Sequence, residues 1–236
     1  MSKVCPPAAK QPTIVYLHGL GRGPRCFEKM KRYVKERTGL DGLALQYASW
    51  SRSKSLKDVA SDVASEIRTA VGDGGKVFLV THSMGGVVAR CMQDLPERGQ
   101  VEWCGSVLMA PPNSGSSLAR TVTAAVGPLF KIVWGRCASE LLGNGEDWPP
   151  PPRPCGVIVG TKPISINPIS WVMTGLSYSG AIQGPHDGTV TVAETKLPED
   201  QMDDYIEFHG SHSWLMQYQE ACVLVADFIN TGRFNK

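Results

Sequence analysis

Short runs of β-branched and large apolar residues alternate with stretches of helical periodicity along nearly the whole chain, and this alternation constrains the fold more than any other feature. Strand–helix–strand repetition needs crossover connections, so the strands run parallel and helices cover both faces of their sheet. Thr13-Ile14-Val15-Tyr16-Leu17 is the first run, continuous and apolar as a strand buried on both faces must be. Leu43 to Tyr47, Lys76 to Val80, a run within Val101 to Ala110, Gly156 to Gly160 and Tyr205 to His209 follow, giving about six strands. Between them, Phe27, Met30 and Val34 recur at helical spacing, as do Leu56, Val59, Val63, Ile67 and Val71. Met84, Val87, Val88, Cys91, Met92 and Leu95 predict a helix closed by Pro96, and Leu215, Tyr218, Cys222, Val225 and Ile229 a last one. The expectation is one α/β domain spanning residues 1–236, with a mostly parallel sheet flanked by helices.

Composition agrees with that class and removes others. A chain of 236 residues with 42% hydrophobic and 19% charged residues can bury one sizeable core, unlike disordered or collagen-like chains. Lys+Arg 24 against Asp+Glu 22 leaves +2, too balanced for a nucleic-acid binder. The seven cysteines are odd in number and contain no CxxC pair, so neither a complete disulfide framework nor a zinc site is expected, and no metal. Reduced thiols and an N-terminal stretch without an apolar signal region predict a cytoplasmic protein. The most apolar stretch, Leu118 to Trp134, is broken by Arg120, Gly127-Pro128 and Lys131 and is too short to span a bilayer.

Two connections interrupt the alternation. Residues 113–154 read as an insertion with a helix-prone apolar part, Leu118 to Leu142, followed by Pro149-Pro150-Pro151-Pro152. Lys162 to Gly184 is a second long connection, punctuated by Pro163, Pro168, Gly175 and Gly180, and is expected to be structureless and to cover or line a site.

The chemistry concentrates at strand ends. A predicted strand, then His82-Ser83-Met84-Gly85-Gly86, then a predicted helix is the setting of a nucleophile elbow, where a sharp turn lifts a serine hydroxyl above the sheet. Thr81 stands where glycine is usual two residues before the serine, while Gly85 supplies the downstream small residue. A serine before a helix also serves as an N-cap, which is the plain alternative for Ser83. The His18-Gly19-Leu20 loop ends the first strand, where an ester hydrolase places its second oxyanion donor, so the Leu20 and Met84 backbone amides are the candidate oxyanion hole. His18 itself reads as a structural histidine that shapes the loop. Gly19, Gly21 and Gly23 lack the spacing of a nucleotide-binding loop.

Leu17-His18-Gly19-Leu20-Gly21-Arg22, Thr81-His82-Ser83-Met84-Gly85-Gly86, Ala110-Pro111-Pro112-Asn113-Ser114-Gly115-Ser116, His186-Asp187-Gly188-Thr189-Val190 and Ser211-His212-Ser213 together resemble the α/β-hydrolase superfamily, in particular its small lipase- and esterase-like members. The resemblance implies a parallel central sheet, no cofactor, and a serine acyl-enzyme mechanism on carboxylic esters. Beginning at the strand that ends in His18-Gly19, the chain would lack the two antiparallel strands that open the full fold. For the acid, Asp187 matches the family position, with Glu194, Asp203, Asp204 and Asp147 as other carboxylates; Asp-Gly also makes Asx-turns. For the base, His209 and His212 remain after the other histidines are assigned, and the resemblance places the base in the loop holding His212. A thioesterase, acyltransferase or amidase would share the same Ser83, His212 and Asp187 set, and a non-catalytic relative would use the cleft only to bind.

The insertion supplies the remaining expectation. Its apolar residues, Leu129, Phe130 and Trp134 among them, would fold as a cap over the carboxyl edge of the sheet and form a wall of the acyl pocket. A small-molecule or lipid ester is then the expected partner, and a transient membrane-surface contact through the cap is compatible with that face.

Overall fold

The computed structural model describes residues 11–126, 135–137, 139–164, 166 and 168–235. Six strands form one sheet in the order β2-β1-β3-β4-β5-β6, every neighbouring pair parallel. They are β1 (Thr13–Leu17), β2 (Gly42–Ala44), β3 (Lys76–His82), β4 (Glu102–Met109), β5 (Cys155–Gly160) and β6 (Asp204–Phe208). The helices are α1 (Glu28–Thr38), α2 (Leu56–Val71), α3 (Met84–Cys91), α4 (Ser117–Val126), α5 (Pro168–Tyr178), α6 (Val192–Thr195) and α7 (Gln219–Thr231).

The unbroken apolar runs are explained by the two cores they feed. Ile14 and Tyr16 of β1 join Phe78, Val80, Val107 and Met109 on one face, packed against Met30 and Val34 of α1 and Val225 and Phe228 of α7. Val15 and Leu17 point to the other face with Val77 and Leu79, under Val59, Val63 and Ile67 of α2 and Val87 and Val88 of α3. Alternate residues of one strand therefore serve opposite layers. Helix α2 begins with a reciprocal capping box between Ser55 and Asp58, which satisfies its first free amides.

The chain leaves β1 toward β2 on one side and reaches β3 on the other, so the strand order reverses between β1 and β3. At such a switch point the loops at the carboxyl ends part and leave a crevice. The His18-Gly19-Leu20 loop and Ser83 lie there, one at the end of each strand.

The structure differs from the sequence reading at four elements, one of them the last helix, which begins at Gln219 as α7 and leaves Leu215 in a 3-10 turn before it. The second strand pairs over Gly42–Ala44 only; Leu45 and Tyr47 are buried but belong to the following loop. Helix α3 ends at Cys91, although Met92 and Leu95 remain in the core. The connection from Lys162 to Gly184 is not structureless, because α5 occupies its middle. Within the insertion, α4 and the helical residues 135–137 and 139–140 agree with the expected helix-prone part.

One buried cation fastens the insertion. Arg90 of α3 is 4% exposed and donates to the carbonyl oxygens of Pro149, Trp148, Gly145 and Asn113 and to the Asn113 side chain. Its guanidinium also stands 5.7 Å from the Trp148 ring centroid. The planar fork suits this task, since its five N–H donors can serve several carbonyls at once.

Candidate active site

Ser83 is the residue that turns β3 into α3, and it does so at φ 54°, ψ −126°, a left-handed conformation that side chains rarely adopt. The surroundings hold it there. Its N–H donates to the Met109 carbonyl at 2.8 Å, tying the turn to β4. A Cβ on Gly85 would stand 2.3 Å from the Leu17 carbonyl oxygen, and one on Gly19 would stand 2.9 Å from the Ser83 Cβ. Both positions therefore exclude any larger residue, and the two loops touch because of it. Thr81 fits without the usual glycine because the small residue lies on the next turn instead: a Cβ on Gly86 would meet the Thr81 Oγ1 at 3.3 Å and the Pro111 Cβ at 2.9 Å.

Ser83 does not cap its helix; its side chain makes no bond to the α3 amides. The hydroxyl instead lies 3.0 Å from the Nε2 of His212. On the far side of that ring, Nδ1 is 2.7 Å from the Asp187 Oδ2. A carboxylate only accepts, so Nδ1 carries the proton and Nε2 is left with a lone pair facing the Ser83 hydroxyl. Asp187 is 1% exposed, and its second oxygen accepts from the Thr189 and Val190 amides at 3.0 and 2.9 Å. The Asx-turn and the contact with His212 are thus both present, one on each carboxylate oxygen.

The His212 backbone is pinned as well. Its N–H donates to the Asp187 carbonyl at 2.9 Å, and its own carbonyl accepts from the His82 Nε2 at 3.0 Å. Burial, then the neighbouring His212 and Arg22, hold the His82 ring well below the usual histidine range, so it stays a neutral strut between the elbow and the His212 loop. His18 is equally structural. It stacks on Tyr47 with ring centroids 4.2 Å apart, donates from Nδ1 to the Gly19 carbonyl at 3.0 Å, and has its own carbonyl bonded by the Tyr47 hydroxyl.

The other candidates are engaged elsewhere. His209 is exposed just beyond β6. Glu194 closes a capping box with Thr191 and accepts from the Ser117 amide, Asp203 pairs with Arg153, and Asp204 accepts from the Tyr205 and Phe234 amides. The structure brings Ser83, His212 and Asp187 together and none of these alternatives.

Met84 opens α3, so its N–H has no acceptor within the helix. The Leu20 N–H likewise meets no acceptor among the described residues. One follows Ser83 directly and the other lies in the loop after β1, whose Gly19 packs on the Ser83 side chain. Ser83 and His212 open into a cavity of about 300 Å³ whose walls include Leu118 and Ala119 of α4, Leu141, Ile169 and Val172 of α5, and Val190. Leu129, Phe130 and Trp134, expected in this wall, lie outside the described residues. Ile169 and Val172 were not singled out from the sequence; the sole signal was the length of the connection that carries them. No group of three or more His, Cys, Asp or Glu side chains able to hold a metal occurs among the described residues. An arrangement of this kind can deprotonate a serine, deliver it to a carbonyl, and shield the result from bulk water.

Known proteins share this fold. A family model described as the alpha/beta hydrolase family matches residues 14–225. Among curated proteins, none matches the chain in sequence. Similar solved structures include the mature form of the lipase BlEst2 of Bacillus licheniformis, 18% identical, with a TM-score of 0.68 over 96% of this chain and 94% of that one. A metagenomic carboxyl esterase is 17% identical with a TM-score of 0.60, over 87% of this chain and 65% of that one. The type II thioesterase BorB from the borrelidin biosynthetic cluster is 17% identical with a TM-score of 0.52, over 95% and 93%. At such identities the likeness carries the fold, whereas the family match spans nearly all of β1 to α7: the chain is a member of the alpha/beta hydrolase family.

Proposed function

We propose that this protein is a serine hydrolase of carboxylic esters, with Ser83 as nucleophile, His212 as base and Asp187 as the residue that orients His212. The observation that carries the reading is the Ser83 Oγ to His212 Nε2 contact of 3.0 Å, continued by a buried Asp187 and opening on an apolar cavity. As Oγ attacks the acyl carbon, Nε2 takes its proton, and the imidazolium formed is stabilised by Asp187, which keeps its own charge. The amides of Leu20 and Met84 receive the oxyanion. Collapse of the tetrahedral adduct breaks the ester C–O bond, and the alcohol leaves with the proton from His212. Water then gives a proton to His212 and attacks the acyl-enzyme; the acid departs and Ser83 regains its hydrogen.

The apolar walls favour an acyl group of several carbons over acetate, since each buried methylene contributes about 0.8 kcal/mol. Val172 in the cavity wall and its α5 neighbour Trp171 are both exposed, so contact with a lipid surface would run through this helix in addition to the insertion. A fluorophosphonate probe tests the assignment. It should label the wild type once per chain and leave Ser83→Ala unlabelled, with a turnover loss on the order of 10³-fold or more for that variant. Labelling that survives in Ser83→Ala overturns it. Paired oxyester and thioester substrates of one acyl chain separate an esterase from a thioesterase.

A further inference from the structure

Among the described residues, Arg22 is the single charged residue in the wall of the catalytic cavity, whose other described residues are apolar apart from His82, Ser83, Ser116, Thr189, His212 and Ser213. It sits two residues after Leu20, in a tight turn in which its N–H donates to the Gly19 carbonyl at 3.3 Å. The same side chain lines a second concavity, of about 400 Å³, together with Gly23, Pro24, Arg25, Cys26 and Gln46. Among the described residues neither lining contains a carboxylate.

Arg22 is half-buried, yet among the described residues no hydrogen bond or ion pair engages its side chain. A partly desolvated arginine without an anion is costly to hold unless an anion comes to it. Its charge also reaches the chemistry: it helps to lower the His18 and His82 rings and opposes the rise of the Cys26 thiol. The chain that follows adds to the field, since residues 22–37 hold seven Lys or Arg against Glu28 and Glu36.

Resting on the ester-hydrolase reading above, we propose that Arg22 is a specificity residue for esters whose leaving alcohol bears an anion, a carboxylate or a phosphate-like group. The acyl chain occupies the apolar cavity on one side of Ser83, and the alcohol extends past Arg22 toward the concavity that Arg25 and Gln46 share with it. The fork geometry of arginine suits both kinds of oxyanion. Placing the charge on the acyl side would drive it among Leu118, Leu141 and Val172, so the two ends of the substrate are distinguished by the walls they meet.

The test uses butyrate esters of three phenols: 4-carboxyphenyl, 4-phosphonophenyl and the neutral 4-carbamoylphenyl, with monophenyl glutarate to carry the anion on the acyl side. For wild type, kcat/KM on the carboxyphenyl or the phosphonophenyl ester should exceed that on the carbamoyl ester by about tenfold or more, the effect of one charge-assisted hydrogen bond, and the better of the two identifies the anion. Monophenyl glutarate should gain nothing over phenyl valerate. Arg22→Gln should bring the anion-to-neutral ratio close to one, Arg22→Glu should invert it, and Arg22→Lys should restore part of it. Arg37→Gln, which removes an exposed cation of α1, should leave the ratio as it is and so separates a local contact from the general field. Neutral esters hydrolysed in a Ser83-dependent way, with a ratio that Arg22→Gln does not move, would overturn the Arg22 proposal and leave the hydrolase reading standing. No turnover of any ester would overturn both.

Discussion

Asp187→Asn is the substitution that best separates chemistry from architecture at this site. Asp187 has two jobs on two oxygens: Oδ1 accepts from the Thr189 and Val190 amides, and Oδ2 accepts from His212 Nδ1. Asparagine can fill only one of these with its oxygen. Two backbone N–H donors demand an acceptor, so the amide oxygen faces Thr189 and Val190 and the NH2 group faces His212. The His212 Nδ1 must then accept, which puts the ring proton on Nε2, pointing at the Ser83 hydroxyl that it should deprotonate. The turn survives while the base is held in the wrong tautomer. The expected loss in kcat is about 10⁴-fold, the magnitude of the same tautomer error in serine proteases. Stability should change little: a loss of about 1 kcal/mol lowers Tm by only about 2–4 °C in a domain of this size. Hydrolysis of 4-nitrophenyl butyrate, normalised by folded protein, measures the first; calorimetry measures the second. If Asp187 only shaped the turn, asparagine would satisfy the same two amides and activity would stay within about tenfold of wild type, while Asp187→Ala would be the damaging change. That outcome would refute the orienting role.

Three further outcomes are expected. His212→Ala should abolish ester turnover while His209→Ala, at an exposed position outside the relay, keeps most of it; the reverse pattern would move the base. Arg90→Met should destabilise the fold by at least about 3 kcal/mol, because the Pro149, Trp148 and Asn113 carbonyls lose their donor at about 1–3 kcal/mol each, and urea unfolding showing a change below about 1 kcal/mol would contradict the clamp. Burial lowers the His18, His82 and His186 rings, so the folded state binds fewer protons than the unfolded state once the pH falls below about 6.5. Stability should therefore be full above that pH and drop on acidification by up to about 1.4 kcal/mol per pH unit for each ring. His82→Gln should flatten that slope, and an unchanged slope would show that His82 contributes nothing to it.

What could be read in the sequence was what depends on local pattern. The β1 run and the His82-Ser83-Met84-Gly85-Gly86 turn were legible because two-sided burial and a steric exclusion at Gly85 are written in adjacent residues. The apolar stripe through Met92 and Leu95 reports burial correctly but not the helix end, since both residues stay in the core after the backbone has left α3 at Cys91. Leu45 and Tyr47 mislead in the same way: both are buried beyond the last paired residue of β2, Leu45 giving one more bond, to the Tyr16 carbonyl, and Tyr47 bonding His18 through its hydroxyl. Joining His212 to Ser83 spans 129 residues and joining it to Asp187 spans 25, distances at which spacing says nothing and only the resemblance named a partner.

Polar residues were the least legible, because their role is fixed by partners far along the chain. Arg90 lies in a helical stripe like any other residue, and its task follows from carbonyls 23 to 59 positions away. Glu194 reads as a spare carboxylate until α6 and the start of α4 are seen to meet on it. Arg22 is the converse case. In the sequence it is one cation in a glycine-rich loop followed by a basic helix, and its distinction is that no described residue pairs with it, which no pattern of neighbours can encode. Arg153 and Lys35 have the same charge and are neutralised by Asp203 and Asp41; Arg22 faces the cavity beside Ser83 instead. A charge in the wall of a reaction site that no described residue neutralises is therefore information of the folded state alone, and it makes substrate charge, ahead of acyl-chain length, the property to vary first.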